Sequence, residues 1–162
     1  MEARTPSDSV AVVARWMRIT EANSRGAVHG GTVLQLADET AALAAIRHAR
    51  SLVVTASVDR VVFRRPIEVG ELLTLKASVN AAWRTSMEVG VRVEAELPAH
   101  GDAHHVYTAY FTMVAVDDDG HPTPVPPLAA GTDEDVRRES EAQLRRRYRL
   151  SEREELEARR TG

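Results

Sequence analysis

The chain has 162 residues, which fits one domain with at most a short extension. Hydrophobic residues make up 43% and charged residues 28%, so the chain can bury a core. Because cysteine is absent, disulfide frameworks, thiolate metal sites and cysteine nucleophiles are excluded. The formal net charge of −3 argues against a chain-wide nucleic-acid interface.

Membrane and export signals are also missing from the sequence. No apolar run approaches the roughly 18–20 residues that a membrane span needs. Residues 1–10 are polar and lack the apolar core of a signal peptide. We therefore expect a cytoplasmic protein with no membrane span and no nucleic-acid partner.

The first predicted element covers residues 10–19, where the mixture of β-branched and apolar residues fits a strand or a short helix. A glycine-rich loop is predicted over residues 23–31. Residues 32–50 then form a helix with Thr32 as its N-cap. This helix is rich in Ala and Leu on nearly every face, which is typical of a buried helix.

Four strand-like runs follow the helix, and two of them alternate between apolar and polar residues. The links between them are short, which favours an antiparallel sheet. One helix and a sheet with one apolar face predict a two-layer α+β domain, and its outer sheet face or an edge strand favours self-association. The runs cover residues 52–63, 71–83, 85–97 and 105–116.

The chain divides near residue 130, after a proline-rich stretch. We expect a globular domain over residues 1–130 and a charged helical extension over residues 131–162, lying in solvent or against a neighbouring subunit. The extension contains nine acidic residues and nine arginines, so its formal net charge is zero. Several of these charges are spaced for favourable pairs on one helix face: Glu134 with Arg138, Glu141 with Arg145, and Glu155 with Arg159.

The segment between Asn23 and Glu39 is the most informative one for function. Gly30 and Gly31 precede a helix N-terminus, where free amides and the helix dipole can hold an oxyanion. Asp38 lies further along the same apolar helix, and a buried carboxylate requires a partner, a subunit interface or a catalytic role. The alternative is an ion pair of Asp38 or Glu39 with an arginine such as Arg47, Arg60 or Arg64.

Motifs for phosphate-loop, dinucleotide, serine-hydrolase and zinc-protease chemistry are absent. The acidic run from Asp117 to Gly120 suggests calcium, but the other ligands of a calcium loop are missing, so we predict a turn. His104 and His105 face opposite sides of a strand. We expect no metal site.

Six short motifs, in this order and spacing, resemble the cytosolic acyl-CoA hydrolases, a hotdog-fold thioesterase family with the YciA and brain acyl-CoA hydrolase types. The resemblance covers about residues 15–128. The motifs are Asn23-x-x-Gly26-x-x-His29-Gly30-Gly31 with Asp38-Glu39, Arg47-His48, Val54 to Asp59, Phe63 to Gly70, Ser86 to Val89, and Thr112 to Asp117.

The resemblance implies an α+β hotdog fold, in which a curved antiparallel β-sheet wraps around one long central helix, with the helical tail C-terminal to it. It implies a homodimer as the minimal active unit, with two active sites at the subunit interface, and a trimer of dimers as a common assembly. The implied activity is hydrolysis of fatty acyl-CoA to free fatty acid and CoA, without a cofactor. The alternative is a non-catalytic acyl-CoA-binding module, a ligand sensor with the same fold, but the presence of both Asn23 and Asp38 favours catalysis.

The resemblance also implies residue roles. Asp38 is the general base or nucleophile, Asn23 orients water or the thioester, and an amide of Gly30 or Gly31 polarises the thioester carbonyl, with His29 in support. Arginines are the expected partners of the CoA phosphates, although each also fits an ordinary solvated charge. The expected substrate-binding residues are Ser57, Arg60, Arg64, Arg65, Arg84, Thr85 and Ser86, with Lys76 as a further phosphate candidate and an acyl slot along Leu34, Leu36 and Ala41 or Ala42.

Helix geometry independently favours a site made from two chains. A rise of about 1.5 Å per residue puts Asp38 roughly 9–12 Å from the Gly30 and Gly31 amides. That is too far for both to reach one thioester carbonyl. Two antiparallel helices related by a twofold axis can reach it, so we predict that the monomer is inactive.

Overall fold

The computed structural model describes residues 1–161. The sheet has five strands, and two 3-10 turns (Pro6–Ser9 and Ile19–Glu21) flank the first of them. The strands are β1 (Ala11–Trp16), β2 (Leu52–Val58), β3 (Leu72–Ala82), β4 (Ser86–Glu96) and β5 (His104–Val116), and the helices are α1 (Gly30–Ala49) and α2 (Asp133–Thr161).

The sheet is antiparallel throughout, with the strand order β1-β3-β4-β5-β2. Strands β1 and β2 are therefore its two edges. Helix α1 contacts all five strands, so the sheet wraps around it as a hotdog fold requires. The expected fold class is confirmed.

The core lies between α1 and the inner face of the sheet. Alternate residues of β3, β4 and β5 point inward and are buried, as the period of a strand requires. The helix contributes the small side chains of Ala37, Ala41, Ala44 and Ala45 to the contact. These alanines let the helix lie close to the sheet, because no long side chain holds the two layers apart.

Helix α1 begins at Gly30, two residues before the predicted start. His29 is the N-cap residue, and Thr32 lies inside the first turn, where its amide donates to the His29 carbonyl over 3.0 Å. The Thr32 cap was therefore wrong. The helix ends at Ala49, followed by Arg50 in the left-handed region with φ 57°.

Strand β2 ends at Val58, five residues before the predicted end. The chain then runs past the start of α1, where the Phe63 ring packs beside Gly30 and its centroid lies 4.9 Å from that of the Tyr107 ring. The amides of Asp59 and Arg64 still donate to carbonyls of β5 at 3.0 Å, but residues 60–63 between them are not part of a strand, and Val62 is 66% exposed.

Helix α2 confirms the predicted helical tail but not its solvated character. Its first half lies on the outer face of the sheet, where Ala142 is fully buried and Gln143 accepts a hydrogen bond from the Trp83 indole over 3.1 Å. Residues 150–160 are exposed. Within residues 1–161, neither helix has the length and apolarity required to cross a bilayer.

Candidate active site

The start of α1 presents free backbone donors. The first amides of a helix have no partner within the helix. The Thr32 and Val33 amides donate hydrogen bonds to the His29 carbonyl, whereas the Gly30 and Gly31 amides have no acceptor among the described residues. A side chain on Gly30 would meet the Phe63 ring at 3.4 Å, and none of the described atoms lies within 4 Å of the corresponding point on Gly31. The two amides therefore remain available to an anion or a polarised carbonyl.

Asn23 shapes the loop that leads into this helix start. Its Oδ1 accepts hydrogen bonds from the amides of Arg25 at 2.8 Å and Ala27 at 3.3 Å. Gly26 takes a positive φ of 82° at the turn between them. The loop occupies Oδ1, so the Nδ2 group, which is a donor, is the part of Asn23 left to contact a substrate.

A small cleft of about 340 Å³ joins several of the predicted site residues. The cleft brings the asparagine, one glycine and two arginines of the sequence prediction to one place. These residues are Asn23, Gly30, Arg64 and Arg65. Both arginines are exposed, so their guanidinium groups lie where a phosphate group can approach from solvent.

Asp38 lies elsewhere, against the edge strand β2. Its Oδ1 accepts a hydrogen bond of 2.6 Å from the Thr55 hydroxyl. Asp38 is half-buried and Thr55 is exposed, so the pair faces the open side of α1. Among residues 1–161 no arginine forms an ion pair with Asp38, and Glu39 bonds Gln35 instead, so the ion-pair alternative was wrong.

Helix α1 is continuous from Gly30 to Asp38, so the distance between the glycine pair and Asp38 follows from helix geometry. Asp38 is seven to eight residues from the glycine pair, or about 10–12 Å along the axis. The Gly30 cleft and the Asp38–Thr55 pair of one chain are therefore separate places along α1.

The remaining predicted residues form a third group on the outer side of the sheet. Ser57, Arg60 and Ser86 line a groove beneath α2, while Arg84 and Thr85 belong to the adjacent β3–β4 turn. Lys76 bonds Glu94 at 2.9 Å on the outer face. Of the expected acyl slot, Leu36 and Ala41 belong to the core, whereas Leu34 and Ala42 are only partly buried.

Thr55 contacts the predicted site residue Asp38, and the sequence prediction did not include it. The motif from Val54 to Asp59 contains it, but Ser57 was chosen instead. A bulge between Thr55 and Ser57 sends the two side chains to opposite faces of β2. Regular strand alternation would place the Thr55 and Ser57 side chains on one face of β2. The sequence pattern therefore does not distinguish the two residues, and only the bulge does.

The acidic run after β5 is a turn, as predicted. Asp117 Oδ1 accepts hydrogen bonds from the amides of Asp119 and His121, and Gly120 has a positive φ of 82°. Asp117, Asp119 and His121 have ligand atoms within 4.8 Å of one another, but all three are exposed. Exposed acidic groups of this kind are common in proteins without a bound ion.

Known proteins resemble this chain in sequence and in fold. Residues 25–98 match the model of the Thioesterase superfamily. The chain is 42% identical over 130 residues to Protein VdlD of Helicobacter pylori, covering 80% of this chain and 74% of that protein. A hexameric acyl-CoA thioesterase, solved in its apo form, is 38% identical with a TM-score of 0.90, covering 94% of this chain and 97% of that one.

An acyl-CoA hydrolase from Staphylococcus aureus, solved with butyryl coenzyme A, coenzyme A and coenzyme A disulfide, is 32% identical with a TM-score of 0.88. The alignment covers 96% of this chain and 95% of that one. Three further structures of that enzyme carry alanine in place of an aspartate, an asparagine and a threonine, with TM-scores of 0.87 to 0.90, 31% identity and 94–98% coverage of either chain. The fold and these similarities together show that the chain belongs to the acyl-CoA thioester hydrolases of the hotdog thioesterase superfamily.

Proposed function

We propose that the protein hydrolyses fatty acyl-CoA thioesters to a fatty acid and free CoA. The observation that carries the proposal is the Asp38–Thr55 pair, a carboxylate held by a hydroxyl on the open face of α1. The substrate and reaction class come from the family. The roles of the individual residues are those that the resemblance implies, and the hydrogen bond between Thr55 and Asp38 supports them.

The residues exchanged in the Staphylococcus aureus enzyme support these roles. Its exchanged asparagine and aspartate are 15 positions apart, and the aspartate and threonine are 17 positions apart. Asn23, Asp38 and Thr55 have the same two spacings in this chain. We therefore extend the proposed site to Thr55, which positions the Asp38 carboxylate.

In the proposed reaction, Asp38 accepts a proton from water, and the water oxygen attacks the thioester carbonyl carbon. The Gly30 amide of the partner subunit, with Gly31 beside it, donates to the carbonyl oxygen as negative charge develops there. The carbon–sulfur bond then breaks, and the CoA sulfur takes up the proton. In the other route for the same carboxylate, Asp38 attacks the carbonyl carbon and the carbon–sulfur bond breaks, which leaves a mixed anhydride and the CoA thiolate. Water then hydrolyses the anhydride to the fatty acid and free Asp38, and the thiolate takes up the proton that this water releases. Neither route requires a cofactor.

We propose a homodimer as the unit that completes this site. Strand β2 is an edge strand with free backbone groups and exposed apolar side chains, including Leu52 at 59% and Val54 at 50% exposure. Leu43 and Ile46 are exposed on the adjacent face of α1. Exposed edges and contiguous apolar surface favour association with a second chain. A twofold axis at this edge would bring each Gly30 towards the Asp38 of the other chain.

Three such dimers form a hexamer in this proposal, in line with the hexameric neighbour. The location of this protein in the cytoplasm remains a prediction from the sequence.

The test is free-thiol release from a panel of acyl-CoAs, from short to long chains. Saturable release by the wild-type protein supports the proposal and reveals the preferred chain length. No release from any member, together with tight calorimetric binding, supports the ligand-sensor alternative instead.

A further inference from the structure

The side chain of Tyr107 connects the sheet to the start of α1. Tyr107 lies on β5 and is only 1% exposed. Its hydroxyl donates a hydrogen bond of 3.2 Å to the carbonyl of Val33, in the first turn of the helix. In a regular α-helix this carbonyl also accepts the amide four residues later, and a carbonyl oxygen has room for both donors. The hydroxyl therefore adds a contact from outside the helix to the turn that begins at Gly30.

Burial keeps the Tyr107 hydroxyl protonated. It raises the pKa of Tyr107 above its ordinary value of 10.0, so the group remains a donor throughout the pH range of an enzyme assay. Buried hydroxyl groups are normally hydrogen-bonded, and the Val33 carbonyl meets this need. The contact between β5 and the helix start is thus independent of pH within that range.

The Tyr107 ring also supports Phe63, which packs on the same turn of α1. The two ring planes meet at 67°, in the edge-to-face arrangement that aromatic pairs favour. The Arg64 amide donates to the Val106 carbonyl at 3.0 Å, so the backbone holds the two segments together as well. On its other side, the Phe63 ring lies 3.4 Å from the point that a Cβ on Gly30 would occupy. Gly30 therefore packs against a ring that Tyr107 holds in place.

The helix start benefits from this support because Gly30 and Gly31 are its first two residues. Glycine is the least restricted residue, and helix ends fray. In the proposed reaction, an amide contributes fully only when it lies about 2.7–3.1 Å from the position that the oxyanion will occupy. A displacement of about 0.5 Å is enough to weaken a preorganised site. The direction of the Gly30 amide therefore depends on what fixes this turn.

We infer that Tyr107 is a positioning residue for the Gly30 amide. It holds the first turn of α1 through Val33, and it supports Phe63 against Gly30. Gly30 and Phe63 line the cleft of about 340 Å³, whereas Tyr107 is too deeply buried to touch a substrate. The inference rests on the proposed function, in which the Gly30 amide polarises the thioester carbonyl.

Tyr107→Phe tests the inference, because it keeps both aromatic rings and removes only the hydroxyl. The kcat for thiol release from butyryl-CoA should fall about threefold to tenfold with KM unchanged, as expected for one lost hydrogen bond. Tyr110→Phe is the matched control, since Tyr110 lies on the same strand and its ring packs under Arg145 on the outer face of the sheet. Thermal unfolding confirms that both variants are folded at the assay temperature. A wild-type kcat for Tyr107→Phe, or an equal loss in Tyr110→Phe, overturns the inference.

A second comparison separates positioning of the amide from general packing. Gly30→Pro has no amide hydrogen, so Tyr107→Phe in that background should lower kcat much less than it does in wild type. In the Gly30→Ala background, which keeps the amide, the full loss should return. Equal fold losses in the proline and alanine backgrounds overturn the inference, because Tyr107 would then act independently of the Gly30 amide.

Failure of the inference is distinguishable from failure of the proposed function. If the wild-type protein releases thiol and Tyr107→Phe is equally fast, only the positioning role is rejected. If the wild-type protein releases no thiol from any acyl-CoA, the proposed function is rejected, and the inference that rests on it is rejected too.

Discussion

The Thr55 hydroxyl donates a 2.6 Å hydrogen bond to the Asp38 carboxylate, across the junction of α1 and the edge strand β2. The bond joins a helix residue to a strand residue 17 positions later. It leaves the second carboxylate oxygen for a water molecule or a thioester. The arrangement thus orients a carboxylate on a surface that the single chain leaves open.

Asp38→Asn should abolish most thiol release while preserving the fold. The amide has nearly the same volume but cannot accept the proton from water, and general-base help contributes about 10²–10⁴-fold. Steady-state turnover and thermal unfolding of the two proteins give the comparison. Turnover within about twofold of wild type would show that Asp38 is not the base.

Thr55→Val should lower kcat more than it changes KM, because Asp38 loses the group that orients it. A hydrogen bond to a charged group contributes about 1.5–3 kcal/mol, or roughly 10–100-fold in rate if it is fully used in the transition state. Thr55→Ser keeps the hydroxyl and should recover most of the rate. If the serine variant is as slow as the valine variant, the hydroxyl has no positioning role.

Gly30→Pro should remove the proposed oxyanion donor without breaking the helix. Proline is favoured at the first helical position, and the His29 backbone is already extended with ψ 125°, as the residue before proline requires. Loss of one such donor costs about 10²–10³ in kcat. Gly30→Ala is the control, since it keeps the amide and places its Cβ at 3.4 Å from Phe63. An unchanged rate for the proline variant would assign the role to another donor.

Val54→Lys should dissociate the dimer and thereby remove activity. Lysine on an edge strand opposes pairing with a second chain. Val12→Lys places the same charge on the opposite edge strand, where Val12 is 59% exposed, and should leave the dimer intact. Sedimentation and thiol release measured on both variants distinguish the two edges. An active Val54→Lys monomer would contradict the two-chain site.

Acid should destabilise the fold through His48. Burial lowers the pKa of His48 from its ordinary value of 6.5, and its Nδ1 is buried without a partner. The folded state therefore binds the proton more weakly than the unfolded state, so the stability is complete above about pH 6.5 and falls as the pH drops below it.

His48→Gln tests this pH dependence, because its side-chain amide can still donate to the Pro126 carbonyl that now bonds Nε2 at 2.9 Å. Thermal unfolding between about pH 7.5 and 5 should show a smaller loss of Tm for the variant than for wild type. Parallel losses would exclude His48 as the group responsible.

Much of the fold could be predicted from the chain because local patterns and the final structure agree. Alternation in β3 and β4 identified their buried faces, and the alanine-rich segment identified the central helix. The end of β2 could not be read in this way. Val61, Val62 and Phe63 look like the continuation of a strand, yet β2 ends at Val58 and the Phe63 ring lies beside Gly30 at the start of α1.

The site was predictable only where one motif holds its residues together. The segment from Asn23 to Asp38 contains most of the residues that we propose as catalytic, whereas Thr55 was missed because a bulge separates it from Ser57. The ion network of Glu88 with Arg145 and Arg149 was also missed. Those residues are 57 and 61 positions apart, so no local pattern links them.

We propose that each active site combines Asp38 of one chain with Gly30 of its partner. Thiol release from butyryl-CoA by coexpressed Asp38→Asn and Gly30→Pro chains tests it most directly, because neither chain alone should be active. Random twofold pairing would restore about one quarter of the wild-type sites, since each mixed dimer contains one intact site. Recovery near that level is the predicted result. A mixture as inactive as its two components, with mixed dimers present, would contradict the two-chain site.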